Sequence, residues 1–160
     1  MYNYNGIISD LDDTHNNIIF FRKISSSKTE RAIFNILKEH PHPNIVNIYN
    51  ITDSHIDMEL LTPCKVITAN KIQLYKQMNS VRKHLQSLGI IYIDWKYDNI
   101  GLDNKGNYKL FDFDISGLLS NNDKWIIKPL DYFSYNRAVK RGFINPRDID
   151  NYSFFIDIMK

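Results

Sequence analysis

The sequence predicts an α+β fold, and three observations carry that reading. Short apolar runs cut by turn residues fill the N-terminal third, as strands do. Two stretches further along have apolar residues at helical spacing. A strand–turn–strand unit follows the second of these.

Taken in order, Gly6-Ile7-Ile8 and Ile18-Ile19-Phe20-Phe21 flank Asp10-Leu11-Asp12-Asp13-Thr14-His15-Asn16-Asn17, whose turn chemistry predicts a hairpin running through Ile24. Ser25-Ser26-Ser27 leads into a helix over about 28–39, where Ala32, Ile33, Ile36 and Leu37 recur at helical spacing. Pro41 and Pro43 stop it. The stretch 44–51 alternates polar and apolar like a half-buried strand, and 56–61 reads as another. The longest helix pattern runs from about Ala69 to Leu88, with Ile72, Tyr75, Met78, Val81, Leu85 and Leu88 on one stripe and Gly89 at its end. Ile100 to Phe111 reads as strand, turn, strand. From Ser116 to about Asp148 the pattern is irregular, and an aromatic run over 152–159 reads as a last helix. There is no internal repeat and no low-complexity linker.

Bulk properties narrow the function classes. With 160 residues, 43% of them hydrophobic and 13% aromatic, the chain suits one compact domain or two small parts sharing a cleft. The formal charge of +2 argues against nucleic acid or an acidic membrane as partner. A single cysteine, Cys64, allows no internal disulfide and fits a reducing, cytoplasmic setting. Neither a signal peptide nor a membrane span is expected: the N-terminus is polar and the apolar runs are short.

The chemistry concentrates in Tyr92-Ile93-Asp94-Trp95-Lys96-Tyr97-Asp98-Asn99, with Asp112-Phe113-Asp114 thirteen residues beyond Asn99. Asp94 is placed to hold and deprotonate an attacking hydroxyl. Lys96, two residues on, is placed to neutralise a migrating phosphoryl group. Asn99 and Asp112 are hard oxygen donors of the kind magnesium prefers. A hairpin between them returns both to the same end, which makes one site of the four.

These residues resemble the catalytic loop and metal-binding motif of eukaryotic-type protein kinases, His-Arg-Asp-Leu-Lys-x-x-Asn followed by Asp-Phe-Gly. Asp94, Lys96, Asn99, Asp112 and Phe113 match, and lysine two places after the aspartate is similar to the serine/threonine branch. The resemblance extends along most of the chain. His42-Pro43-Asn44-Ile45-Val46 is similar to the segment after the first kinase helix, and Met58-Glu59-Leu60-Leu61 resembles the gatekeeper and hinge. Asp150-Asn151-Tyr152-Ser153 resembles the motif whose aspartate pins the catalytic-loop backbone. It implies a reduced bilobal kinase-like fold as one domain over 1–160: a small β-rich N-lobe with one helix and the hinge (1–61), then a shortened helical C-lobe (62–160) without the later helices. It implies ATP and Mg2+ as cofactors, Asp94 and Lys96 as catalytic, and Asn99 and Asp112 as metal ligands. Arg22 or Lys23 would contact phosphate, Glu30 would pair with that cation, and the backbone of Glu59 to Leu61 would meet the adenine edge.

The sequence departs from the family pattern at five places. Gly6 is the only glycine before the first helix, so the glycine-rich phosphate loop is missing, and Asp10, Asp12 and Asp13 stand in its turn. Phe20-Phe21-Arg22-Lys23-Ile24 puts either Arg22 or Lys23 at the phosphate position and either Phe20 or Phe21 above the base, stacking on it or filling its pocket. Counting back from His42-Pro43 places Ile33 where the helix glutamate belongs. Glu30, one turn earlier, either completes a capping box with Ser27 or pairs with the upper cation. Asp114 replaces the final glycine of the metal motif and either adds an auxiliary metal ligand or, the favoured expectation, faces solvent. Tyr92 replaces histidine and is expected to stack on Phe113, and Ile93 replaces the arginine that reads a phosphorylated activation loop.

Two functions follow from this pattern. The first is an ATP- and Mg2+-dependent phosphotransferase acting on a Ser or Thr hydroxyl of a protein substrate. The second is a pseudokinase that binds a partner protein without chemistry. Apolar surface near 152–159 adds the expectation of a homodimer. Cys64 and the histidines lack the spacing of a metal or nucleophile site.

Overall fold

The computed structural model describes residues 6–9, 19–66, 69–130 and 133–159. In chain order the elements are β1 (Gly6–Ser9), β2 (Phe20–Lys23), α1 (Lys28–Glu39), β3 (Ile48–Ile51), β4 (Ile56–Glu59) and β5 (Thr62–Pro63). Then come α2 (Lys71–Ser87), β6 (Ile90–Ile91), a 3-10 turn (Tyr97–Asn99), β7 (Ile100–Leu102), β8 (Tyr108–Leu110), β9 (Gly117–Leu119), β10 (Trp125–Ile127), α3 (Phe133–Lys140) and α4 (Pro146–Ile158). The fold is mixed, with small sheets and four helices among the described residues, compatible with a reduced kinase-like architecture.

The first sheet is antiparallel in the order β1-β2-β4-β3. Gly6 pairs with Lys23 and Ser9 with Phe20, so the strands of the expected N-terminal hairpin are present; its acidic turn lies outside the described residues. Helix α1 starts where Ser27 Oγ accepts the Glu30 N–H at 3.0 Å, the bond expected of an N-cap serine. It buries Ile33, Phe34 and Leu37 against the sheet.

Helix α2 corrects the expected stripe. Leu74, Met78, Val81 and Leu85 are its buried residues, whereas Ile72 is 83% exposed and Tyr75 38%. Spacing of four, three and four keeps Leu74 to Leu85 on one side of a 3.6-residue helix; Ile72 precedes that line by half a turn. Gly89 follows the helix with φ +76, a left-handed conformation that glycine takes without a Cβ penalty.

Strands β7 and β8 form the predicted hairpin, with Ile100 opposite Leu110. It is bonded to the segment between α1 and β3: Val46 N–H donates to Leu110 O at 3.0 Å, Leu110 N–H to Asn44 O at 2.9 Å, and the Asn44 amide to Tyr108 O at 2.9 Å. Lys109 Nζ adds a 2.8 Å contact to Glu59 Oε1 at the end of β4.

The stretch 116–148 is not irregular. It contains β9, β10, α3 and the start of α4. Strand β9 sits between β10 and β6, with Leu118 opposite Ile90. Asn145 caps α4 by accepting the Arg147 N–H at 2.9 Å, and Pro146 fills the first turn.

One apolar core unites α1, α2, the first sheet and the β7–β8 hairpin, and a smaller cluster joins Ile91, Ile93, Leu119, Ala138 and Ile149. No helix among the described residues is long and apolar enough to cross a membrane. A Cβ at Gly101 would stand 2.6 Å from Leu61 Cβ, inside contact distance of a 2%-exposed side chain. Gly101→Ala is therefore expected to cost about 1–3 kcal/mol by overpacking, read as a lower midpoint in urea with an unchanged slope.

Candidate active site

Successive side chains of a strand point to opposite faces, and this separates Arg22 from Lys23. Arg22 lies on one face of β2 and makes a two-pronged contact with Asp57, at 2.6 and 2.9 Å. Lys23 turns to the other face, towards α1. Its Nζ lies 2.7 Å from Glu30 Oε1, 2.7 Å from Asp114 Oδ2 and 3.9 Å from Asp112 Oδ1. The same alternation puts Phe21 on the Lys23 face, where it is 3% exposed within the main core.

Glu30 is fully buried. Its Oε1 accepts from Lys23 and from Ser26 Oγ (3.0 Å), and its Oε2 accepts from Phe113 N–H at 2.6 Å. Only half of the capping box exists: Ser27 caps Glu30, and Ser27 N–H goes to Asp114 Oδ1 at 3.2 Å. Ile33, the position reached by counting back from the prolines, is an interior apolar residue.

Asp114 is not a solvated side chain. With 30% of it exposed, it bridges Lys23 and the first residue before α1. The carboxylate oxygens of Glu30, Asp112 and Asp114 fall within 4.8 Å of one another, with the Lys23 ammonium in contact with all three residues. Burial would lower the Lys23 pKa, but the charges of Glu30 and Asp112 and the bonds to Asp114 and Glu30 outweigh it and raise it. Burial raises the Glu30 carboxyl against the pull of Lys23, helped by the charges of Asp114 and Asp112. Burial also acts upward on Asp114, but Lys23 and Ser27 overcome it and hold that carboxyl low.

The segment from Tyr92 to Asn99 holds a strained turn. Ile93 has φ +67, outside the ordinary range of a β-branched residue, and Asp94 N–H closes a three-residue turn on Tyr92 O at 2.8 Å. Such strain costs on the order of 1–3 kcal/mol and persists when its surroundings over-determine it. Asp150, fully buried in α4, supplies that determination: Oδ1 accepts from Ile93 N–H at 2.9 Å and Trp95 Nε1–H at 2.8 Å, and Oδ2 from the Gln86 amide at 2.8 Å.

The turn presents Asp94, which is 7% exposed. Asn99 Nδ2 donates to Asp94 Oδ2 at 2.8 Å and to Asp94 O at 3.0 Å, while Lys96 Nζ stands 3.6 Å from Oδ2. Burial raises the Asp94 pKa; Lys96 and Asn99 oppose the rise, and the nearby charge of Asp112 adds to it. Asn99 Oδ1 is buried and accepts no hydrogen bond among the described residues. Asp98 is exposed.

Asp112 also has a left-handed backbone, φ +62. This turn sends Phe113 inward, edge-on to Tyr92 at 4.9 Å and to Phe34 at 5.4 Å. Tyr92 O–H donates to Phe111 O at 2.7 Å. The structure thus joins Lys23, Glu30, Asp112 and Asp114 in one cluster and Asp94, Lys96 and Asn99 in another, coupled through the Asp112 charge on Asp94.

Arg22 lies outside both clusters. Glu59 and Leu61 stand at the end of β4 and just beyond it. Glu59 N–H donates to Asn47 O at 2.9 Å, its side chain holds Lys109, and Leu61 packs on Gly101. Sequence reasoning did not find the Lys109–Glu59 contact or the bridging role of Asp114. Both need strand register and turn geometry that only the fold provides.

Comparison with known proteins agrees with a kinase-like relationship. The chain is 30% identical over 118 residues to the yeast Saccharomyces cerevisiae cell cycle serine/threonine-protein kinase CDC5/MSD2, covering 63% of this chain and 17% of that protein. It is 30% identical over 115 residues to CBL-interacting protein kinase 24 of Oryza sativa, covering 63% and 25%. It is 30% identical over 133 residues to the serine/threonine-protein kinase PrkC of Bacillus subtilis, covering 72% and 20%. The chain therefore spans a quarter or less of the length of each of these relatives. No protein-family profile matches it.

Removing Asp150 leaves two buried donors, Ile93 N–H and Trp95 Nε1–H, without acceptors. At about 1–3 kcal/mol for each orphaned group, Asp150→Ala is expected to lose several kcal/mol in chemical denaturation and Asp150→Asn much less.

Proposed function

We propose that the chain is a reduced, bilobal protein kinase-like phosphotransferase that uses ATP and Mg2+ and transfers the γ-phosphate to a Ser or Thr hydroxyl of a protein. The observation that carries the reading is the buried Lys23–Glu30 pair, held beside Asp112 and coupled to the Asp94–Asn99 pair. The kinase relatives support it at the level of the family. In this reading residues 1–160 act as one domain, with 1–61 and 62–160 as its two lobes, in the cytoplasm.

The donor set fits a magnesium ion. Asp112 offers a partly exposed carboxylate, and Asn99 Oδ1 is a buried oxygen with no hydrogen bond to give up. Asn99 and Asp112 would hold the metal, which supplies neutralising charge for the phosphates when bound. Lys23 contacts phosphate and Glu30 fixes its direction. Asp94 accepts the proton of the attacking hydroxyl; its raised pKa makes it a better base than an exposed aspartate, and Lys96 at 3.6 Å offers charge to the transferring group. The backbone from Glu59 to Leu61 offers the adenine contacts.

A partner-binding pseudokinase is the second reading, favoured by one feature. Phe21 is 3% exposed and Leu61 2%, both within the core where a base would have to enter. A homodimer through the end of α4 belongs with either reading, because Phe155 is 61% exposed and Met159 42%.

Thermal unfolding with millimolar ATP and magnesium separates the two. Saturation at about a hundred times Kd adds about 2.7 kcal/mol to stability, so the expected result is a magnesium-dependent rise in Tm that Asp112→Asn loses. The absence of any shift selects the pseudokinase. In a phosphoryl-transfer assay Asp94→Asn is expected to lose a factor of about 10²–10⁴ with nucleotide binding retained; full activity in that variant removes Asp94 from the mechanism.

A further inference from the structure

Lys23 lies against two carboxylates at the same distance, 2.7 Å, and they differ in character. Glu30 is fully buried and holds Ser26 Oγ and the interior Phe113 N–H, so it cannot leave without orphaning that buried donor. Asp114 is 30% exposed, and its other carboxylate partner is Ser27, a half-buried residue that donates from its backbone N–H and its side chain. One partner is fixed and the other can exchange with solvent or with another anion. The position belongs to a tripeptide whose last residue is glycine in the kinase pattern, where no side chain reaches the lysine.

We propose that Asp114 is a built-in anion that occupies the phosphate position on Lys23 and competes with nucleotide for it. Phosphate and carboxylate are both anionic oxygen acceptors that pair with an ammonium. An incoming polyphosphate must displace Asp114 from Lys23 and then tolerate its charge, together with those of Asp112 and Glu30, at close range. Asp114 therefore weakens nucleotide binding, and in the empty site it compensates Lys23 and ties Ser27 at the start of α1 to the segment after Asp112. The inference rests on the reading of Lys23 as the phosphate contact.

Binding of magnesium ATP and of magnesium tripolyphosphate is measured by calorimetry on the unmodified chain, Asp114→Asn, Asp114→Gly, and both changes in a Lys23→Met background. The expected result is about tenfold tighter binding of tripolyphosphate to both single variants, with the gain absent when Lys23 is methionine. Circular dichroism confirms that each variant is folded, and the glycine change stands in if asparagine fails that check. Equal or weaker binding in the folded variants overturns the inference, and if ATP still binds the unmodified chain the phosphotransferase reading survives it. Tighter tripolyphosphate binding with no ATP binding to any protein keeps Asp114 as a competitor of phosphate on Lys23 but overturns its competition with nucleotide, and removes the nucleotide reading. No binding of either anion anywhere overturns both.

Discussion

Lys23 carries a positive charge into the protein interior, and its surroundings are organised by the need to compensate it. An ammonium in a poorly solvated site costs several kcal/mol unless it is paired and hydrogen-bonded. The compensating carboxylates come from α1 and from the segment after β8. Strand, helix and segment are thereby fixed to one another through a few atoms. Glu30 extends the connection, because its second oxygen holds the backbone of Phe113. Phe113 then continues it through rings: it packs on Phe34 and Tyr92, Tyr92 on Trp95 at 4.7 Å, and Trp95 on Phe154 at 5.0 Å. A line of contacts thus runs from α1 to α4 through the candidate site.

The backbone at that site is held away from its preferred conformations at two places: Ile93, next to Asp94, and Asp112, the proposed metal ligand itself. Interior hydrogen bonds and packing maintain both. Among the described residues Asp150 bonds to Gln86, Ile93 and Trp95; its effect is to keep the Ile93 turn closed so that Asp94 faces Asn99 and Lys96. Its carboxyl is raised by complete burial, and the bonds from Gln86, Ile93 and Trp95 oppose the rise. What this buried carboxyl contributes is the geometry it enforces.

Local signals in the sequence were sufficient for α1, α2 and the β7–β8 hairpin. Each rests on periodicity, a cap or turn residues within a dozen positions. Asp94, Lys96, Asn99 and Asp112 could be picked out as candidates together because they lie within one short stretch of sequence joined by a hairpin. Strands β6, β9 and β10 were not readable: they have two or three residues each, and β9 pairs with a strand on the far side of the Tyr92–Asn99 segment. Such strands form because a distant partner is present, and short windows carry no trace of that. Helix α4 did leave a signal, Asn145-Pro146, that the irregular reading passed over. The choice between Arg22 and Lys23 turned on which face of β2 meets α1. The role of Asp114 turned on a left-handed residue two positions earlier.

The bonds between the Asn44–Val46 segment and β8, together with Lys109 on Glu59, bear on how the molecule loses its structure. A small sheet joined to a helical body through one covalent strand would open and melt by itself. Here, parting the first sheet from the β7–β8 hairpin means breaking three backbone-directed bonds and withdrawing a buried ammonium from its partner. Partial opening there also divides the apolar core that the two parts share, so these contacts oppose separate melting. If the two parts unfold as one cooperative unit, amides of the first sheet and of the hairpin exchange with solvent at the same rate-limiting free energy.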